Sequence, residues 1–164
     1  MQHINAAGLA LIKQYGALIL EANVTPEGDV VIGYGHTARG IRPGSHITED
    51  EAGRLLSADL AWIEEAVSTR VRVELNDNEF SALVSLVFDI GIRRFSESTL
   101  LKFINKEQKA RAAEAMMWLE RSEPGRRAVA SPGVSRRRCL EQALFLSASD
   151  DVSSGASSRL SPLT

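Results

Sequence analysis

The chain has 164 residues, 44% of them apolar and 24% charged, which is enough for one domain with its own core and too few for two. A formal net charge of −2 supplies no broad basic field for nucleic acid or another polyanion, and a single cysteine, Cys139, excludes an intrachain disulfide. No stretch reaches the roughly 18 apolar residues of a membrane helix, and Lys13, Gln14 and Glu21 interrupt the N-terminal apolar run, so the sequence as written reads as cytoplasmic, or as delivered by a route that leaves no mark.

Residues 4–21 are predicted as the first helix, because Ile4, Leu9, Leu11, Ile12, Tyr15, Leu18 and Ile19 recur at helical spacing. Thr25-Pro26-Glu27-Gly28-Asp29 is turn chemistry. The β-branched run Val30-Val31-Ile32, followed by Gly33-Tyr34-Gly35-His36, predicts a small hairpin or three-stranded ribbon. Thr48, with Glu51 after it, forms a capping box that opens a second helix ending near Ser68. Asn76 and Glu79 repeat that signal for a helix over about 77–91. Its Phe80, Leu83, Val84, Leu86, Val87 and Phe88 make it apolar almost all round and therefore central. Further helices are predicted over about 96–105, 108–121 and 133–146, the last holding Cys139 as a small buried or half-buried side chain. From Ser147 the pattern collapses into serine, alanine and aspartate, which divides the chain into a domain over 1–146 and a linker or disordered tail over 147–164. The fold class is α+β, mostly helical, with a small β lobe near the N-terminus and a helical C-terminal lobe.

The segment Val31-Ile32-Gly33-Tyr34-Gly35-His36-Thr37 resembles the Thr-Ile-Gly-x-Gly-His segment of the phage-type lysozymes, glycoside hydrolase family 24. Other stretches support the likeness in the same order. They are Gly8-Leu9-Ala10-Leu11-Ile12-Lys13, Pro43-Gly44 with Ile47-Thr48-Glu49-Asp50-Glu51-Ala52, Leu75 to Gly91, Ser98-Thr99-Leu100-Leu101, and Arg136-Arg137-Arg138 with Glu141 and Leu144-Phe145. The resemblance covers about residues 6–146 and implies a lysozyme-like fold. It also implies cleavage of the bond between N-acetylmuramic acid and N-acetylglucosamine in peptidoglycan. That mechanism, as the resemblance implies it, needs a Glu at the end of the first helix as proton donor, an Asp in the hairpin on the opposite side of the sugar, and a Thr that helps place water.

Counting back from Gly35-His36 without a gap puts those three positions on Gly16, Thr25 and Val31. Gly16 has no proton to give, Thr25 carries no charge and Val31 cannot hydrogen-bond water, so all three roles are vacant. Glu27 and Asp29 are the local acids able to replace them. Glu21, five residues past Gly16, is turned about 140° away on a continuous helix. Among other residues placed at the cleft by the resemblance, Gly35 and His36 keep the family pattern, with His36 expected to pair structurally with Asp59. Asp89 stands where the family has Asn or Gln, and Phe95, Ser96 and Ser98 are expected on the far wall. Of the basic cluster Arg136-Arg137-Arg138, an arginine deprived of its glutamate is expected to pair with Asp89 or Glu141 or to bind an anion. Arg136 is the candidate for the latter.

Three readings follow. The first is a catalytically deficient lysozyme relative whose retained cleft holds glycan strands or a protein partner. The second is an active muramidase using Glu27 or Asp29. The third is an interaction module with a vestigial cleft. None calls for a metal, an organic cofactor or nucleic acid.

Overall fold

The computed structural model describes residues 1–37, 39–119 and 132–148. The expected tail beyond 148 lies outside the described residues, and the helix expected over 108–121 ends earlier, at Met117, with Trp118 as its C-cap. The first helix, α1 (Ala6–Tyr15), begins where the Asn5 side chain accepts from the Gly8 amide, and it is shorter than the periodicity suggests. It stops at Tyr15. Gly16 is its C-cap in extended conformation, its N–H donating to the Ile12 carbonyl at 2.8 Å. Ile19–Val24 is a strand, β1, so the expectation of helix as far as residue 21 is corrected. The apolar residues Leu18 and Ile19 fit both periods. Pairing with the next strand decides between them, because it satisfies backbone groups that a helix end leaves open.

β1 pairs antiparallel with β2 (Val30–Gly33), which pairs antiparallel with β3 (His36–Thr37), giving the expected three-stranded ribbon in the order β1-β2-β3. The far side of β1 is covered by the loop over 44–47. There Ala22 N–H donates to the Ser45 carbonyl and Ile47 N–H to the Leu20 carbonyl. α2 (Glu49–Arg70) starts at the predicted capping box, with Thr48 and Glu51 exchanging bonds to each other's backbone amides. It runs beneath the ribbon, and a Cβ on Gly33 would lie 3.5 Å from that of Ala52.

The helical lobe is built around α3 (Asp77–Ile90), which is buried along nearly its whole circumference, as its sequence predicts. α1 packs on α3 through Gly8, where a Cβ would come within 2.7 Å of the Ser81 Cβ, so only glycine permits this approach. α4 (Ile92–Glu97) and α5 (Thr99–Asn105) replace the single helix expected over 96–105, because Ser98 caps α5 and interrupts the run. α6 (Lys109–Met117) and α7 (Pro132–Leu146) complete the lobe. Cys139 is exposed on α7, which corrects the expectation of a buried thiol: the helix turns Arg137, Arg138 and Glu141 inward and leaves Cys139 on its solvent side.

The capping box is a pH-sensitive element. Hydrogen bonds from the Thr48 backbone and side chain hold the Glu51 carboxyl below its ordinary pKa. A depressed carboxylate contributes stability above its unfolded pKa and loses it as pH falls through the folded value. The stability difference between the parent and Glu51→Gln, followed by thermal unfolding across the acid range, is therefore expected at neutral pH and to shrink as Glu51 protonates. A difference that stays constant with pH would show that the box is not the cause.

Candidate functional site

The ribbon, the end of α1 and the start of α4 frame the region to which the sequence motifs point. Gly16 closes α1 with Tyr34 laid against it: a Cβ at Gly16 would sit 3.6 Å from Tyr34 Cδ1 and 2.8 Å from the Ile12 carbonyl oxygen. Lys13 places its ammonium 5.9 Å from the centre of the Tyr34 ring. Tyr15 and Tyr34 are both half-buried. The last residue of the first helix is thus a tyrosine, not an acid, and the next is a glycine.

Between Ile19 and Asn23 the pairing of β1 with β2 is irregular. β1 advances four residues, from Ile19 to Asn23, while β2 retreats two, from Gly33 to Val31. Such bulges insert residues into one strand without disturbing its neighbour. An ungapped count from His36 back to α1 passes through this irregularity. Beyond it, Thr25 lies in the β1–β2 turn and is bound into it, its N–H donating to the Asp29 carbonyl at 2.7 Å and its hydroxyl accepting from the Asp29 N–H at 3.2 Å. Val31 pairs with Asn23 on one side and Thr37 on the other, and is half-buried beside the fully inward Ile32.

The local acids do not gather here. Glu27 and Asp29 are exposed on the turn. Glu21 is on β1, where its carboxylate lies 3.4 Å from His46 Nε2 and both side chains are mostly in solvent. Its separation from the helix end follows from the strand, not from helical rotation as the sequence suggests. His36 meets Asp59 of α2 as expected, with Nδ1 2.9 Å from both carboxylate oxygens. The pair fastens β3 to α2. Gly35 sits exposed in the turn between β2 and β3 with φ of 85°, a conformation glycine adopts without strain.

On the other side, Asp89 and the arginines form one buried network. Arg138 donates from Nη2 to Asp89 Oδ2 at 2.5 Å, from Nη1 to Glu141 Oε2 at 2.6 Å, and from Nε to the Leu119 carbonyl at 2.6 Å. Arg137 donates from Nε to Glu141 Oε1 and from Nη2 to the Ser85 carbonyl, both at 2.9 Å, and its Nη1 is 3.7 Å from Asp89 Oδ1. Ser85 Oγ donates to Glu141 Oε1 at 2.7 Å. Two guanidiniums meet two carboxylates, and among the described residues no buried side-chain nitrogen or oxygen lacks a partner. The expected pairing of an arginine with Asp89 or Glu141 is met by two arginines with both acids.

The three expected wall residues and Arg136, the expected anion binder, have the following surroundings. Phe95 is fully buried in the core, so it presents nothing to a ligand. Ser98 is the N-cap of α5, donating to the Phe95 carbonyl and accepting from Leu101 N–H. Ser96 is exposed but accepts from Arg70 Nε at 2.5 Å and donates to the Ile92 carbonyl at 2.7 Å. Arg136 is exposed on the side of α7 opposite the network, away from Asp89. Asp89 keeps 13% of its side chain exposed, and its oxygens serve the arginines first. Sequence reasoning did not single out the cluster of Tyr34 and Lys13 at the end of α1, which forms because the helix stops at Tyr15 and Tyr34 folds back onto Gly16.

A model of the Phage lysozyme family matches residues 13–141. Over 147 residues the chain is 40% identical to the endolysin of Acyrthosiphon pisum secondary endosymbiont phage 1, covering 89% of this chain and 99% of that one. It is 36% identical over 153 residues to the endolysin of Salmonella phage P22, covering 90% and 100%. Among solved structures, the muramidase domain of SpmX from Asticaccaulis excentricus superposes with a TM-score of 0.82 at 39% identity, covering 90% of this chain and all of that one.

The network sets a stability test. Arg138→Met removes one cation and leaves Asp89 and Glu141 sharing Arg137 in the interior. Stripping one partner from a buried ion pair costs about 3–5 kcal/mol. Urea unfolding is expected to show a loss of that size for Arg138→Met and, for the exposed Arg136→Met, a change within about 0.5 kcal/mol, the range of ordinary surface substitutions. Equal losses would mean that the network contributes nothing beyond surface charge.

Proposed function

Since the chain belongs to the phage lysozyme family, and since α1 ends on Tyr15-Gly16 with no carboxyl, we propose that it is a catalytically deficient member that holds peptidoglycan glycan strands in a retained cleft without cutting them. The observation that carries this reading is the end of α1. A glycosidic oxygen leaves slowly unless an acid protonates it, and general acid catalysis contributes about 10²–10⁴ in rate. Glycine has no proton to give, and tyrosine offers a phenol where the reaction, as the resemblance implies it, uses a carboxylic acid. We take Gly16 as the vacated acid position, as the ungapped count places it, and its neighbour Tyr15, the last residue of α1, brings no carboxyl there either.

The opposite side of the sugar is equally bare in this reading. Thr25 uses both its amide and its hydroxyl to close the β1–β2 turn, and Val31 offers a hydrocarbon where water would be oriented. Glu27 and Asp29, the acids nearest in sequence, are solvated turn residues, and neither is paired with a second carboxylate across a cleft. The framework supports binding: His36–Asp59 pins the ribbon to α2, the arginine network pins α7 to α3, and Tyr34 lies across the end of α1. Such a cleft offers sugar rings an aromatic face and a rigid floor. It does not need to release a product.

Restoration tests the reading. Gly16→Glu must displace the Ile12 carbonyl 2.8 Å from its new Cβ, whereas Tyr15→Glu meets no such backbone contact, so both are made, each with Thr25→Asp and Val31→Thr. The parent is expected to release no reducing sugar from purified peptidoglycan, and one restored triple variant to release it at least about 10²-fold above background. Hydrolysis by the parent that disappears in Glu27→Gln or Asp29→Asn would instead establish a relocated acid.

A further inference from the structure

The outer side of the helical lobe carries an open basin. α5 and α6 pack together with Leu100, Ile104, Ala112, Ala113 and Met116 turned into the core. On the solvent side they leave a shallow basin of about 400 Å³ lined by Thr99, Phe103, Arg111, Glu114, Ala115 and Trp118. Trp118 is 84% exposed. An aromatic side chain presents about 150–250 Å² that a partner can cover, and here that surface stands open at the edge of a concavity.

The basin is built, not incidental. Trp118 is the C-cap of α6, its N–H donating to the Ala115 carbonyl at 3.2 Å. The next residue, Leu119, is fixed through its carbonyl to Arg138 of the buried network. The Arg111 guanidinium lies 6.0 Å from the centre of the Phe103 ring, and both side chains line the basin. Glu114 stands three residues from Arg111 on α6 and so on the same helix face. The basin therefore offers an open indole, a guanidinium donor, a carboxylate acceptor and the Thr99 hydroxyl.

That set matches a pyranose ring. The apolar C–H face of a sugar stacks on indole, an acetamido N–H or hydroxyl donates to a carboxylate, and ring or carbonyl oxygens accept from a guanidinium. We propose that the basin between α5 and α6 is a second glycan site that takes an N-acetylhexosamine unit, apart from the vacated positions on α1, β1 and β2. The proposal rests on the reading of the chain as a glycan binder. Its use follows from the lack of cutting: two weak sites on one polymer raise retention by about 10²–10⁴ when both engage, which benefits a domain that stays bound.

The test reads the basin and the cleft separately. Trp62 is also exposed, at 73%, so Trp62→Phe leaves Trp118 as the one tryptophan of the chain. Titration of that protein with a short β-linked oligomer of N-acetylglucosamine is expected to give a saturable change in emission that Glu114→Gln with Arg111→Ala weakens at least about ten-fold. Co-sedimentation with purified sacculi is expected to fall at least about ten-fold in Trp118→Ala, at unchanged unfolding temperature. No emission change on titration overturns the basin. Retention that is lost in Tyr34→Ala and untouched in Trp118→Ala also overturns it while leaving the cleft reading intact. A parent that does not sediment, yet shows the saturable emission change, overturns the cleft reading and keeps the basin.

Discussion

The interior charge cluster of Arg137, Arg138, Asp89 and Glu141 is the constraint to which the helical lobe conforms. α3 is apolar on nearly every side and so could pack against many partners, since hydrophobic burial is non-directional. Charges are different. Arg138 and Glu141 are fully buried, and a buried charge is tolerated only when each of its donors or acceptors meets a partner. The bonds from Arg137 and Arg138 to Asp89, to Glu141 and to the Ser85 backbone permit one seating of α7 on α3. The bond from Arg138 to the Leu119 carbonyl extends that seating to the end of α6, where Trp118 projects.

The same cluster changes the electrostatics of the cleft. Arginines that lie near a catalytic glutamate in the resemblance are here satisfied internally, by Asp89 on one side and Glu141 on the other. Their charge is spent on the scaffold. In the proposed reading, the lack of an acid at the end of α1 therefore strands neither Arg137 nor Arg138, since both are paired within the network. On the opposite wall, His36–Asp59 and the close approach of Gly33 to Ala52 hold the ribbon to α2 independently of Thr25 and Val31. The residues that hold this framework are thus distinct from Gly16, Thr25 and Val31.

Much of this was legible in residue order. The capping boxes at Thr48 and Asn76, the encircling apolarity of α3, the ribbon around Gly33-Tyr34-Gly35-His36 and the His36–Asp59 pair were all readable. These depend on local rules: a cap bonds residues three apart, and a helix or strand shows its period within a turn or two. The helix expected to run to residue 21 was misread because Leu18 and Ile19 satisfy both periods, and only pairing with β2 decides between them. Phe95 and Ser98 were placed on a cleft wall by position in the chain, and their side chains turn to the core and to a cap.

The sequence by itself determined that this is a mostly helical chain of the phage lysozyme type, and that no acid stands at Tyr15, Gly16 or Thr25, because residue identity needs no geometry. Tertiary structure alone decided which residue ends α1, where the extra length in β1 is absorbed, and which arginines are consumed in the interior. It also decided that Phe103, Arg111, Glu114 and Trp118 surround one basin. Each of these depends on contacts between segments distant in the chain, whose energies come from pairing, burial and charge compensation that no local pattern encodes.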